Sequence, residues 1–188
     1  MNLNPLLSLW LPILLSAVVV FVISSLIHML LKWHASDYRA FANEDAVRAA
    51  IRASNPAPGR YVMPYCGDMK DAAGEAMKRK FEEGPVGHVT IMPSGTHQMG
   101  KHLSLWFVWS LIIVIVAAYL ATQLFGLDHG HARAAAKLVG AVSLIAHGFG
   151  TVQESIWVGR PWSQSVKYLL DAALYAVGSA AVFLWLWP

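Results

Sequence analysis

The segment LWLPILLSAVVVFVISSLIHMLLKWH, residues 9–34, contains no Asp, Glu, Lys or Arg before Lys32. The hydrocarbon core of a bilayer is about 30 Å thick, and a helix of roughly 20 apolar residues crosses it. The segment therefore predicts a transmembrane helix over residues 10–32. No basic stretch precedes it and no A-x-A cleavage site follows it, so we expect a retained anchor rather than a removable signal peptide. Three further stretches are predicted to be spans, namely residues 103–126, 135–157 and 167–187.

The composition indicates the same class of protein. Of the 188 residues, 56% are hydrophobic and 13% are charged, whereas about a quarter of the residues of a soluble domain are charged. The sequence contains no Walker loop, dinucleotide fingerprint or nucleophile elbow, and its positive charge flanks the spans, so we expect membrane lipid and not nucleic acid as a partner. The predicted fold is an all-α integral membrane protein with four transmembrane helices and a small α+β cytoplasmic insert.

The tryptophans and basic residues predict how the chain is oriented. All eight tryptophans fall at or near the ends of the predicted spans, where indole rings meet the bilayer interface. Twelve of the fourteen Lys and Arg residues lie in or beside residues 33–102 and 158–166, and the other side has Arg133 and Lys137 alone. Because Lys and Arg are retained on the cytoplasmic side, we expect both termini outside and residues 34–101 in the cytoplasm.

The long loop between the first two spans has the pattern of a small folded unit. SDYRAFANEDAVRAAIRAS predicts a helix capped by Ser36 or Asn43, and Asp68 is predicted to cap a second helix. RYVMPY and VGHVTIMP predict strands on either side of that helix, an order that resembles a minimal crossover unit. Two strands alone are marginal in water, so we expect support from the spans, a second copy or a partner. The predicted organisation is span 1 in residues 1–33, the insert in residues 34–101 and spans 2–4 in residues 102–188.

Ionisable side chains within the spans are the candidate functional residues. His147 and Glu154 are seven residues apart, so a regular helix presents them on nearly the same face. His28 and Asp171 each lie about one turn inside a cytoplasmic span end. Such residues are costly in lipid and mark functional sites by default. Structural pairing that pins the helices together, with Arg160 or Lys167 as the partner of Glu154 and Asp171, is the favoured explanation. This polar layer is a candidate proton or metal site, with His147 as its deepest member. The supporting charges at its edge are Arg160 and Lys167.

Other metal and cofactor signals are weak. No C-x-x-C, M-x-x-M or H-E-x-x-H spacing is present, and the single cysteine, Cys66, allows no internal disulfide. We predict no cofactor, while a metal in the polar layer or a haem between His28 and His147 remains an alternative. The weak metal candidates outside the layer are His97, Met99, His102, His129 and His131.

Small residues line one face of each of the last two spans. They recur at multiples of four, as in Gly140 and Gly148 of the third span and Ala172, Ala176 and Ala180 of the fourth, a spacing that lets helices approach closely. The leading interpretation is a non-enzymatic membrane component, either self-associating or an accessory subunit of a larger complex. The alternative is a proton- or metal-linked channel or transporter, and a haem or metal redox subunit is the third.

The segment ESIWVGRPWSQSVKYLLDAALYAVGSAAVFLWLW, residues 154–187, resembles the last two spans of small bacterial membrane proteins grouped as DUF1761-like, a domain of unknown function. The stretch in residues 9–34 and the segment GPVGHVTIMPSG also resemble uncharacterised bacterial proteins of about this length. The resemblance implies a four-span protein of the bacterial inner membrane and carries over no catalytic residue. With the charge distribution, it places both termini in the periplasm.

Overall fold

The computed structural model describes residues 4–68, 70–96 and 98–188. Its chain forms two compact units, Met1–Tyr38 with Gln98–Pro188 and Arg39–His97. A short helix, Asn4–Ser8, begins the described chain. Within the described residues, four helices are long and apolar enough to cross a membrane, which confirms the predicted all-α membrane fold. We number them span 1, Trp10–Leu31; span 2, Met99–Phe125; span 3, His129–Trp157; and span 4, Trp162–Leu186.

Span 1 changes its helical type before it ends. It is α-helical over Trp10–Ser25 and π-helical over Leu26–Leu31, the turn that carries His28. Lys32 then adopts a left-handed conformation, with φ 51°, and a 3-10 turn over Trp33–Asp37 follows. The left-handed residue redirects the chain, so the 3-10 turn does not continue the helix axis into the insert.

Span 3 contains a second π turn. Its segments are a 3-10 turn at His129–His131, α-helix over Ala132–Leu144, a π turn over Ile145–Phe149 and α-helix over Gly150–Trp157. The π turn contains His147. Because a π turn takes up more residues than an α turn, it changes the face on which later side chains emerge, and such turns are frequent at functional sites.

Close approach of spans 3 and 4 uses their small residues. A Cβ atom added at Gly140 would lie 3.2 Å from the Cβ of Ala180, and one added at Gly148 would lie 2.8 Å from the Cβ of Ala172. Backbones this close require residues without large side chains. The small-residue faces are therefore buried within the chain, and they supply no argument for self-association.

An apolar core fills one end of the four-span unit. It joins the beginning of span 1, the second half of span 2, the beginning of span 3 and the end of span 4, and its largest fully buried members are Phe183 and Trp187. The remaining core residues are Leu9, Ile13, Val114, Ala117, Ala118, Ala121, Ala132, Ala135, Ala136 and Val139. The candidate site lies at the other end of this unit.

The described part of the insert, residues 39–68 and 70–96, contains two helices and two strands. Its first helix, Glu44–Ala53, is capped by Asn43, whose side chain accepts a hydrogen bond from the backbone N of Ala46 at 3.1 Å. The second helix covers Glu75–Glu83, so the prediction that Asp68 caps it was wrong. Asp68 instead accepts from the backbone N of Lys70 at 2.9 Å within a turn, which satisfies a nearby donor without starting a helix.

The two strands of the insert pair in the antiparallel direction. β1, Gly59–Met63, pairs with β2, Gly87–Ile91, and Gly59 lies opposite Ile91. The likeness to a crossover unit was therefore wrong, because a crossover joins parallel strands. β1 is exposed along its whole length, and within residues 39–68 and 70–96 the one buried side chain is that of Met77. The unit has little apolar core of its own.

Candidate functional site

A cavity of about 350 Å³ lies between the four spans, at the end away from the apolar core. Each span contributes to its wall, and Arg160, from the turn between spans 3 and 4, contributes as well. The wall is therefore assembled from the whole bundle rather than from one helical hairpin. The lining residues on the spans are Ser24, His28, Trp106, His147, Thr151, Tyr168, Asp171 and Tyr175.

The two cavity histidines have their tautomers set by the backbone. Nδ1 of His28 donates to the carbonyl of Ser24 at 2.9 Å, and Nδ1 of His147 donates to the carbonyl of Ser143 at 2.8 Å. A neutral imidazole that donates from Nδ1 carries a lone pair on Nε2. Each ring therefore offers a nitrogen that accepts a proton or binds a metal ion. Both rings sit on π turns, where the helix backbone departs from regular geometry.

Several buried polar atoms in the cavity wall have no hydrogen-bond partner within the described residues. Around His147, the rings of Trp106 and Tyr175 pack at centroid distances of 5.6 and 5.3 Å and leave its Nε2 buried. A buried polar group without a partner costs about 1–3 kcal/mol, so a cluster of them indicates a place for a polar ligand or water. The four atoms are Trp106 Nε1, His147 Nε2, Thr151 Oγ1 and Asp171 Oδ1.

His34 connects the 3-10 turn to the cavity wall. Its Nε2 lies 2.8 Å from Oδ2 of Asp171, and its Nδ1 lies 2.8 Å from Oδ2 of Asp37. A carboxylate only accepts hydrogen bonds, so the ring donates to both carboxylates when it is doubly protonated. The His34 side chain is 8% exposed and that of Asp171 is 3% exposed, which makes this a buried link between the end of span 1 and span 4.

Lys167 supplies the fixed positive charge of this group. Its Nζ lies 2.8 Å from the carbonyl of Trp33, 2.8 Å from Oγ of Ser36 and 2.5 Å from Oδ1 of Asp37, so all three ammonium protons have acceptors. Burial alone raises the pKa of Asp37, but the hydrogen bonds from Lys167 and His34 outweigh it and hold that pKa below its ordinary value of 3.8. Asp37 is therefore an anion at neutral pH.

The structure brings together three of the four residues of the predicted polar layer. His28, His147 and Asp171 line the same cavity. Glu154 is not among the lining residues and forms an ion pair with Arg160. The π turn around His147 explains the difference, because counting 3.6 residues per turn does not carry across it.

The two supporting charges have different roles. Arg160 lines the cavity, pairs with Glu154 and lies over the ring of Tyr168, with its guanidinium carbon 5.0 Å from the ring centroid. Lys167 pairs with Asp37 and is not a cavity-lining residue. Lys167 lies at the edge of the polar layer, as the sequence predicted, but its partner Asp37 is in the turn after span 1.

Sequence reasoning missed His34, Asp37, Trp106 and Tyr175. His34 follows His28 by six residues and lies just past the end of span 1, so it looked like an interfacial side chain. Trp106 matched the pattern of an aromatic belt, yet it lies two turns inside span 2 and faces the cavity. The sequence signal that could have revealed His34 was its position six residues after His28, with the end of span 1 between them.

The weak metal candidates lie elsewhere. His97 is outside the described residues, and Met99 and His102 lie on the exposed first turns of span 2. At the other end of the bundle, Nδ1 of His129 donates to the carbonyl of Trp187 at 3.0 Å, and Nδ1 of His131 is 3.7 Å from Asp128. None of these described residues lines the cavity.

Comparison with known proteins gives no match: no family model, no curated protein and no solved structure is similar to this chain.

Proposed function

We propose that this protein is a membrane protein of the channel or transporter class that receives a small polar or charged solute in the cavity between its four spans. The observation that supports it is the set of four buried polar atoms around one cavity of about 350 Å³ that have no hydrogen-bond partner within the described residues. Ionisable groups within spans are normally kept where they face a solute, a proton path or water. Structural pairing accounts for Glu154, which has its own partner in Arg160, but leaves His147 Nε2 unexplained.

The proposed location is the bacterial inner membrane, with both termini in the periplasm and residues 34–101 in the cytoplasm. The support is the concentration of Lys and Arg beside the cavity end of the spans, including Lys32, Arg160 and Lys167. In this orientation the cavity lies near the cytoplasmic face. The solute then enters from the cytoplasm, and the apolar core separates the cavity from the periplasm.

The test is a flux assay in liposomes that contain the purified protein. Entrapped indicators report protons, K⁺ and Zn²⁺ as separate probes across about pH 5 to 8, the range over which an imidazole changes charge. We expect saturable flux of at least one probe and its loss in His147→Gln. His131→Gln is the matched control, because His131 lies at the opposite end of span 3 and is half exposed.

Two results of the flux assay would contradict the proposal. One is wild-type protein that carries none of the probes. The other is His147→Gln protein that assembles normally and carries the same flux as wild type, because His147 would then be a packing residue.

A second candidate function is that of a subunit in a larger membrane complex or a homo-oligomer. The insert favours it, because β1 is exposed along its whole length and Met77 is the one buried side chain among the insert residues that the structure describes. An unpartnered two-stranded sheet is marginal in water and has edges that accept further strands. Native mass spectrometry in mild detergent tests this: a species of 20.6 kDa alone, with no partner recovered from native membranes, would exclude it.

A further inference from the structure

We propose that His28, His34 and Asp171 bind one divalent transition-metal ion of the first row. This inference rests on the proposed function, because it names the class of solute that the cavity receives. One ring nitrogen of each histidine and one carboxylate oxygen of Asp171 all lie within 4.8 Å of one another. Two imidazoles and a carboxylate suit Zn²⁺, Fe²⁺ or Mn²⁺, whereas Ca²⁺ and Mg²⁺ are bound by oxygen ligands.

The carboxylate of Asp171 provides the second, independent observation. The residue is 2% exposed, its Oδ2 accepts from His34, and its Oδ1 has no partner within the described residues. Asp171 also lines the cavity. A buried carboxylate with a free oxygen is costly unless a cation or donor reaches that oxygen. A metal ion bound by both carboxylate oxygens of Asp171 supplies a partner for Oδ1.

The outer hydrogen bonds of the two histidines match those of metal ligands. A metal-bound histidine usually donates its other ring N–H to a carbonyl or a carboxylate, which fixes the ring and its tautomer. Nδ1 of His28 donates to the carbonyl of Ser24, and Nδ1 of His34 donates to the carboxylate of Asp37. Both types of partner are thus present, and in each ring Nε2 is the nitrogen left for the ion.

Binding requires two local changes. The ion replaces the proton between His34 Nε2 and Asp171 Oδ2, and that proton passes to water. The rings of His28 and His34 are stacked at 4.8 Å and 7°, so the His28 ring must turn out of the stack for both nitrogens to reach the ion. Zn–N distances of about 2.0–2.1 Å place tetrahedral ligands roughly 3.3 Å apart. The exposed position of His28 permits this movement.

The competing explanation is structural pairing, in which a charged His34 joins Asp37 and Asp171 and no metal is involved. That explanation accounts for His34 but gives His28 no role beyond stacking. The two explanations therefore differ in what His28 does. The His28 side chain is exposed, and its one hydrogen bond within the described residues is to the carbonyl of Ser24 in the same helix. His28→Gln therefore separates metal binding from folding.

The experiment measures metal binding at equilibrium. The full chain is purified in mild detergent with a tag that contains no histidine and is stripped with EDTA. Zn²⁺ is then titrated against a chromophoric chelator, and Co²⁺ is followed by its visible spectrum. We expect one Zn²⁺ per chain, a Co²⁺ spectrum typical of nitrogen and oxygen ligands, and no competition by Ca²⁺. His28→Gln is expected to weaken Zn²⁺ binding at least about 10-fold, while the matched control His131→Gln retains wild-type affinity.

Thermal unfolding provides the folding control. Ligands that bind the folded state alone raise its melting temperature, so Zn²⁺ is expected to raise that of the wild type and of His131→Gln but not that of His28→Gln. In EDTA, His28→Gln is expected to have the same melting temperature as the wild type. Asp37→Asn, which alters the outer hydrogen bond of His34, is expected to weaken Zn²⁺ binding about 10- to 100-fold.

The outcomes separate this inference from the proposed function. Absence of stoichiometric Zn²⁺ binding, or equal affinity in the wild type and His28→Gln, would overturn the metal site. Proton or K⁺ flux without Zn²⁺ binding would overturn the metal site and leave the transport proposal standing. One Zn²⁺ per chain, lost in His28→Gln, without flux of any probe would establish the site and overturn the transport proposal.

Discussion

Nε2 of His34 lies 2.8 Å from Oδ2 of Asp171, although 137 residues separate them in sequence. This contact joins the turn after span 1 to span 4 at the edge of the cavity. Gln164 adds a second link, because its Nε2 donates to the carbonyl of Asp37 at 2.8 Å, and Lys167 adds a third. Span 4 thus holds the turn through residues spaced three and four apart, which lie on one helix face.

The first prediction is that His34 and Asp171 are coupled in stability. His34→Gln or Asp171→Asn alone leaves a buried charged group without its partner, and each is expected to lower the free energy of unfolding by about 3 kcal/mol. The double variant is expected to lose clearly less free energy of unfolding than the sum of the two single-variant losses, because the interaction between the side chains is lost only once. Thermal unfolding of all four proteins in mild detergent with EDTA measures the coupling, and strictly additive losses would show that the contact contributes little.

Lys167 is expected to stabilise the same turn through its charge and its three hydrogen bonds. Lys167→Met removes the cation beside Asp37, whose side chain is 6% exposed, and should lower the free energy of unfolding by about 3 kcal/mol. Lys137→Met is the matched control, since Lys137 lies on the exposed face of span 3. The prediction is checked by thermal unfolding in detergent. Equal melting temperatures for the two variants would contradict it.

The lowered pKa of Asp37 predicts a pH dependence. A carboxyl whose pKa is lower in the folded chain stabilises the fold above its unfolded pKa and loses that contribution as pH falls through the folded value. The difference in melting temperature between wild type and Asp37→Asn, measured in EDTA, should therefore be constant at neutral pH. It should shrink as pH falls below the ordinary value of 3.8. A difference that grows on acidification would reverse the sign and contradict the argument.

Part of the fold followed from the sequence because span formation depends on local hydropathy. The four spans needed only apolar stretches of sufficient length. The placement of His28 and Asp171 about one turn inside their span ends, with His147 deeper, needed only a count of residues from those ends. The position of Glu154 was not predicted, because the π turn at Ile145–Phe149 changes the helix face and has no clear sequence signal. The depth of a residue along its helix was predictable, whereas the helix face on which its side chain emerges was not.

Contacts between distant segments were beyond sequence reasoning. The pairing of His34 with Asp171 depends on the left-handed backbone of Lys32, which redirects the chain after span 1. The antiparallel pairing of β1 and β2 likewise depends on the path of the connection, which composition does not reveal. Both are consequences of how the chain turns, and a single sequence encodes such turns weakly outside Gly and Pro positions.

The orientation proposed for the membrane predicts the labelling of Cys66. Its side chain is partly exposed in the insert, so an impermeant thiol reagent should leave it unlabelled in intact cells and label it after permeabilisation. A His131→Cys variant provides the opposite reporter, because that position is exposed at the other end of span 3. Cys66 labelled in intact cells, with residue 131 protected, would invert the proposed topology.

The last prediction concerns the spacing of spans 3 and 4 beside the cavity. In Gly148→Ala the new methyl group would lie 2.8 Å from the Cβ of Ala172, which cannot rotate away because it is fixed to the span 4 backbone. The helices must therefore separate, and overpacking of this kind costs about 1–3 kcal/mol. Gly150→Ala has no heavy atom within 4 Å of the added methyl group and should be neutral or slightly stabilising, because alanine favours helix.

Gly178→Ala provides an intermediate case. Its added methyl group would lie 2.8 Å from Val19 Cγ1 and 2.9 Å from Ile23 Cδ1, which are side-chain atoms that can shift, so its cost in stability should fall between those of Gly148→Ala and Gly150→Ala. Thermal unfolding in detergent ranks the three variants. If Gly148→Ala were as stable as Gly150→Ala, the close approach of spans 3 and 4 at Gly148 would not contribute to the stability of the fold.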